Sequence, residues 1–327
     1  MRTQRLGKDG PELSVIGFGA LEVGLTEGAW KEALSDEDLL NIVRAAPDSG
    51  INWIDTAEVY GDGNSEMVVG RALVGRRDDV LIATKVAPTG GVFNPDYGGT
   101  GFRPDDIRAA CDASLERLHT DRIDLYQLHW WPGEGEQVPI EETWGAMAGL
   151  VEQGKVRFIG VSNFDQHQIE RCLAVRHVDS LQPQFSPVTP RLADLIKWCG
   201  EQGIGVVAYG PLGYGLLRPT IPTAEELTQM LGPDEPEEWG FAALELVREM
   251  HPIADRLRLP LSHLALAWNL AQPGVTSVIA GSTNPDHIRS NADAGDIQLD
   301  DETVQEIDAL VDRYRASGAR PRDPMSI

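Results

Sequence analysis

The feature that most constrains this chain is an alternation. Short apolar runs rich in Val, Ile and Leu alternate with longer stretches whose apolar residues recur at helical spacing, along nearly all of the 327 residues. Strand and helix in that order build a parallel sheet, because each helix returns the chain so that the next strand starts beside the last. The strand-like runs are Val15–Ala20, Ile51–Asp55, Val80–Thr84, Ile123–Leu128, Val156–Val161, Leu181–Phe185, Ile204–Tyr209 and Ser277–Ala280. Eight such runs are what a closed (β/α)8 TIM barrel requires, and the length suits one such domain over residues 1–327.

The intervening helices are expected to open at 35–38 and to run over 65–73, 104–118, 141–153, 166–175, 191–202 and 262–270, with an additional C-terminal helix over 300–313. Ser35 before Asp36-Glu37-Asp38 has the form of a helix start, an N-cap hydroxyl followed by acidic first-turn residues. Residues 2–14 read as an N-terminal β-hairpin turning at Gly7-Lys8-Asp9-Gly10, placed to plug the barrel floor. The glycines in Val15-Ile16-Gly17-Phe18-Gly19 predict a close approach to that strand. Two loop insertions interrupt the rhythm. Residues 87–103 are rich in Gly and Pro with interspersed aromatics and read as a lid or pocket wall. Residues 210–259, acidic and Pro-rich around 232–238, read as a surface excursion.

Three of the runs end in groups that a buried strand does not need. Ile51-Asn52-Trp53-Ile54 leads into Asp55, Val80–Thr84 into Lys85, and Ile123–Leu128 into His129, with Tyr60 on the loop after Asp55. In a barrel of this kind the strand ends carry the chemistry, so these four side chains are expected to meet on one rim. A phenol with an ordinary pKa near 10 donates a proton poorly at neutral pH unless a cation stabilises the phenolate. Lys85 is placed to be that cation, and its ammonium needs a counter-ion that Asp55 supplies. Taken singly, Asp55 and Lys85 also fit a structural ion pair, Tyr60 a packing residue and His129 a satisfied core histidine. Together they fit a carbonyl-polarising, proton-donating site.

The balance of 28 Lys+Arg against 51 Asp+Glu gives a net charge of −23, which argues against nucleic acid or an anionic membrane surface as partner. The runs are too short to span a bilayer and Met1-Arg2-Thr3-Gln4-Arg5 leads into no apolar signal segment, so a cytoplasmic protein is expected. Cys111, Cys172 and Cys199 lie far apart with no metal-ligand spacing, consistent with buried thiols in a reducing compartment, and no metal is expected.

Asp55-Thr56-Ala57 with Tyr60-Gly61 and Ser65-Glu66, then Thr84-Lys85, Asp124–His129 and Gly160-Val161-Ser162-Asn163-Phe164, resemble the motifs of the aldo-keto reductase superfamily in order and spacing, from about Arg5 to Leu310. The resemblance implies hydride transfer between NADPH and the carbonyl of an aldehyde, ketone or sugar. It makes Tyr60 the general acid, Lys85 the partner that lowers its pKa, Asp55 the partner of Lys85, and His129 the residue that orients substrate. Ser162, Asn163 and Gln182 would hold the nicotinamide carboxamide and Tyr209 would stack on the ring. Gly210-Pro211-Leu212-Gly213 would follow the pyrophosphate, and Gly281, Ser282, Thr283 and Asn291 would form the adenosine end.

The chain departs from the family pattern where basic residues often stand: Tyr214, Gly281 and His287 occupy those positions. Arg218 and Arg289 then remain to hold a 2′-phosphate. NADPH is expected to be preferred, less sharply than with a full basic clamp, with NADH possible. Trp30, Phe93, Tyr97, Trp130 and Trp131 are the expected substrate-pocket aromatics, Trp130 and Trp131 because they directly follow His129. Two other functions compete: a Schiff-base lyase using Lys85, and a non-catalytic regulatory or binding subunit on the same fold. Neither the substrate nor the oligomeric state follows from the sequence.

Overall fold

The computed structural model describes residues 1–25, 34–89, 100–132, 138–221, 223, 225–227 and 237–319. Its centre is a closed barrel of parallel strands: β3 (Ile16–Gly19), β4 (Trp53–Asp55), β5 (Leu81–Val86), β6 (Ile123–Leu128), β7 (Val156–Ser162), β8 (Ser180–Gln182), β9 (Gly205–Tyr209) and β10 (Val275–Gly281). β10 closes the ring by pairing with both β9 and β3. Before them β1 (Thr3–Arg5) and β2 (Glu12–Ser14) form the antiparallel hairpin. The expected (β/α)8 barrel with an N-terminal hairpin is therefore the fold.

Alternation along each strand decides what faces inward. In β4, Trp53 and Asp55 point into the barrel, while Ile54 joins the shell between sheet and helices. In β5, Ala83 belongs to the inner cluster and Ile82 and Val86 to the outer one, so the same parity turns Lys85 inward. The lower barrel is filled by Leu6, Leu13, Trp53, Ala83, Leu125, Val207 and Ile279. Two of these, Leu6 and Leu13, come from the hairpin and its turn, which therefore closes the floor. Gly17 allows this packing, since a Cβ there would lie 2.1 Å from the Trp53 ring. The indole itself donates to Ser14 O and Ser277 Oγ, both at 3.1 Å.

The helices pack outside. Ser35 caps Asp36–Asp48 with a full capping box through Asp38, Asn284 caps Pro285–Ala294, and Asp300 caps the C-terminal Asp301–Ala316 helix. Two expectations need adjusting. The strand expected over Leu181–Phe185 is only Ser180–Gln182, because Pro183 has no N–H to continue the ladder. The stretch read as a surface excursion contains the Glu237–Leu257 helix, which buries Trp239, Leu244, Val247, Met250 and Ile253. Among the described residues no helix is long and apolar enough to cross a membrane.

The hairpin's role is checked by Leu6→Ala. Leu6 is 1% exposed within the inner cluster, so truncation is expected to cost about 2–5 kcal/mol of unfolding free energy. A urea midpoint equal to that of the parent would show that the floor does not depend on this residue.

Candidate active site

The four rim residues meet where the barrel parity sends them. Lys85, with no exposed side-chain surface, donates to Asp55 Oδ2 at 2.6 Å, Thr56 O at 3.0 Å and Tyr60 OH at 3.1 Å. Three donors to three acceptors is the complete valence of an ammonium. The other Asp55 oxygen accepts from Gln182 Nε2 at 2.7 Å. Residues from β4, β5 and β8 are thus tied across the barrel. Since Tyr60 OH accepts from Lys85, its own proton is left to point elsewhere. The His129 ring stands edge-on to Tyr60 with centroids 5.7 Å apart, and among the described residues its buried Nδ1 has no hydrogen-bond partner.

Electrostatics refine the expected roles. Burial pushes the Asp55 carboxyl up and the Lys85 amine down, each opposed by the charge of the other. Burial also raises the Tyr60 phenol well above 10, with the charges of Asp55 and Glu22 adding to it. Lys85 is the cation beside this phenol, donating to its hydroxyl at 3.1 Å while paired with Asp55 at 2.6 Å. His129 is held well below the usual imidazole range by burial, then by the charge of Lys85.

A tier of buried groups positions these residues. Ser65 Oγ donates to Ala20 O at 2.7 Å and lies 2.8 Å from Thr56 Oγ1, fixing the residue whose carbonyl accepts from Lys85. Glu66 accepts from Thr84 Oγ1 at 2.5 Å and from Arg117 Nε at 2.6 Å, so the residue beside Lys85 is anchored to the outer helices. Glu58, overlooked in the sequence despite its place between Asp55 and Tyr60, accepts from the Ala87 amide at 2.9 Å and from Thr100 Oγ1 at 2.9 Å. It pins together the two ends of the 87–100 segment.

The remaining expected residues fall into groups. Ser162 Oγ donates to Gln182 O at 2.8 Å, Asn163 Nδ2 donates to His129 O at 3.1 Å, and Tyr209 OH donates to Asn163 Oδ1 at 2.9 Å. One network therefore spans the ends of β7, β8 and β9. Gly210 and Gly213 follow with φ of 66° and 55°, with Leu212 beside them, and the Tyr214 hydroxyl accepts from Gln184 Nε2 at 2.6 Å. Beyond β10, Ser282 Oγ accepts from the Asn284 amide at 3.1 Å and lies 3.4 Å from His287 Nδ1. Thr283 precedes that cap, and Asn291 is buried in the following helix.

The two arginines are both engaged by carboxylates, Arg218 with Glu226 at 3.2 Å and Arg289 with Asp286 at 2.6 Å. Trp130 lies against His129 with ring centroids 4.6 Å apart, whereas Trp131 packs between Phe102 and Phe164 at 5.6 and 5.8 Å. Trp30, Phe93 and Tyr97 lie outside the described residues.

Comparison with known proteins follows the same lines. The model of the aldo/keto reductase family matches residues 15–312. The NADP(+) aldo-keto reductase yakc of Schizosaccharomyces pombe is 33% identical over 97% of this chain and 94% of its own. An NADH-specific methylglyoxal reductase of Escherichia coli is 32% identical, covering 92% of this chain and 95% of its own. Among solved structures, the glycerol dehydrogenase of Gluconobacter oxydans superposes with a TM-score of 0.80 at 29% identity, covering 95% of each chain. An aldo/keto reductase from Klebsiella pneumoniae in complex with NADP and acetate gives 0.70 at 28% identity, covering 95% and 96%.

Removing one partner of the buried pair is expected to be costly. Asp55→Asn leaves the Lys85 ammonium without its counter-ion, at about 3–5 kcal/mol of stability. The double variant Asp55→Asn/Lys85→Met is expected to recover part of that loss in urea unfolding. Strictly additive losses would mean that the two groups do not act as a pair.

Proposed function

The chain belongs to the aldo/keto reductase family of oxidoreductases, and on that premise we propose that it reduces the carbonyl of an aldehyde, ketone or sugar with Tyr60 as proton donor. The observation that carries this reading is the Lys85 ammonium held between Asp55 at 2.6 Å and Tyr60 at 3.1 Å. Held as an ammonium by the Asp55 carboxylate at 2.6 Å, Lys85 has no lone pair for Schiff-base attack, which disfavours the lyase alternative.

The residues fit a nicotinamide dinucleotide. Ser162, Asn163 and Gln182 offer amide and hydroxyl groups suited to a carboxamide, the Tyr209 ring stands at the end of β9, and Gly210–Gly213 form a turn in which two glycines adopt positive φ. When bound, the reduced dinucleotide supplies the hydride. We take NADPH as cofactor with NADH as a second, supported by relatives labelled for each. The modest preference expected for NADPH rests on Arg218 and Arg289, whose present pairings are solvent-exposed and open to competition from a phosphate.

The protein's own part is to bind, orient and protonate. The neutral His129 imidazole offers a hydrogen bond to the carbonyl oxygen, and Trp130 forms the wall beside it. Tyr60 stays protonated at neutral pH because burial disfavours the phenolate. As its proton leaves for the substrate oxygen, the negative charge develops 3.1 Å from Lys85 Nζ, where the ammonium stabilises it without having to move.

Two measurements test this. Tyr60→Phe is expected to lower carbonyl-reduction turnover by about 10²–10⁴-fold while dinucleotide binding persists, and near-normal turnover would remove Tyr60 from the mechanism. The protonation states also predict the pH profile. With His129 shifted down and Tyr60 shifted up, neither changes charge near neutrality, so kcat/KM for reduction should stay flat from about pH 6 to about pH 8. An acid limb near 6.5 that disappears in His129→Gln would contradict the neutral imidazole.

A further inference from the structure

Two hydrogen bonds carry the β4–β5 pairing past the end of β4. Thr56 N donates to Ala83 O at 2.9 Å and Glu58 N donates to Lys85 O at 3.3 Å, a step of two residues on each side, as a parallel ladder requires. The next bond in that series would run from Ala87 N to the Glu58 carbonyl. In its place the Ala87 amide donates to Glu58 Oε1 at 2.9 Å. The side chain thus stands in for its own main chain where the ladder ends. The same oxygen accepts from Thr100 N at 3.2 Å, and Oε2 accepts from Thr100 Oγ1 at 2.9 Å.

Ending the ladder there lets the chain turn. Tyr60 N donates back to Ala57 O at 3.1 Å, and Gly61, Asp62 and Gly63 follow with φ of 62°, 55° and 81°. The phenol is reached two residues after Glu58, so the point at which the loop leaves β5 sets where the Tyr60 hydroxyl meets Lys85 Nζ, 3.1 Å away. Glu58 is 8% exposed, and burial raises its pKa against the opposing hydrogen bonds from Ala87 and Thr100. Taking a carboxylate out of water costs free energy. What it gives in return here is geometry, fixed from one side by β5 and from the other by Thr100.

We propose that Glu58 is a positioning residue for the proton transfer: its carboxylate caps the β4–β5 ladder at Ala87 and so holds the Tyr60 hydroxyl beside Lys85. The inference rests on the reading of Tyr60 as proton donor and adds the group that fixes its place. Glu58 acts through the backbone of the Tyr60 loop. Without the carboxylate the Ala87 and Thr100 amides lose their acceptor, and the loop can leave β5 at another point. Lys85 keeps its bond to Asp55 at 2.6 Å, so the ammonium stays while the phenol moves, and proton donation slows more than substrate binding does.

Steady-state kinetics of aldehyde reduction by the full chain, in H2O and in D2O with saturating reduced nicotinamide dinucleotide, test this. Glu58→Ala is expected to lower kcat by about 10- to 100-fold with KM within about threefold of the parent, and to raise the solvent isotope effect on kcat because proton transfer becomes slow. Glu58→Gln keeps an acceptor oxygen for both amides and should bring kcat back to within about threefold of the parent. The positioning role is overturned, with Tyr60 still the donor, if folded Glu58→Ala keeps the parent's kcat, loses only in KM, or shows a lower kcat with the parent's isotope effect. If the parent reduces no carbonyl, both readings fall. Thermal melting shows whether the variant is folded. Should it not be, Thr100→Val removes only the hydroxyl bond to Oε2 and should lower kcat by about threefold with a rise in the isotope effect, and the parent's values there would overturn the proposal.

Discussion

A buried ammonium is the constraint on which the rest of this structure depends. Lys85 has no exposed side-chain surface, and a charge so placed is tolerated only when each of its hydrogens finds an acceptor. The acceptors come from Asp55 at the end of β4, the Thr56 carbonyl beyond it and the Tyr60 hydroxyl on the loop that follows. Gln182 at the end of β8 holds the far side of Asp55. Closing the barrel is what brings β8 across from β4, so the fold and the ion pair need each other. Below, the hydrophobic layer with Leu6, Leu13 and Trp53 keeps water from reaching the pair through the floor.

The surroundings are polar but ordered. Ser65, Glu66 and Glu58 each tie a rim residue to a neighbouring element, and each sits within the short span between β4 and the Asn64–Ala72 helix or at its start. That span therefore carries the phenol and also the groups that hold it in place. Towards β10 the character changes. Gly281 supplies no side chain and Glu22 occupies the space beside it, so the mouth of the site gains a negative charge on a chain that is already at −23.

Much of this was legible in the sequence because parity and periodicity are local properties. β6 occupies Ile123–Leu128 as read from its apolar run, and Gly17 makes the close approach its place in a strand suggested. What escaped depended on distant partners. Nothing local shows how deeply Tyr60 is buried, and it is burial first, then the charges of Asp55 and Glu22, that raises its phenol. Trp130 and Trp131 are neighbours in sequence, yet one lies against His129 and the other packs between Phe102 and Phe164. The acidic, Pro-rich stretch hid a long helix because its buried face, Trp239 to Ile253, begins just after the prolines.

The central claim is that this rim passes a hydride and a proton to one carbonyl. Incubating the enzyme and an aldehyde with reduced nicotinamide cofactor carrying deuterium at the transferred C4 position, then analysing the alcohol by mass spectrometry, tests it most directly. The account predicts one deuterium on the former carbonyl carbon and none exchanged into solvent. Deuterium retained on the cofactor, or alcohol formed without the label, would contradict it.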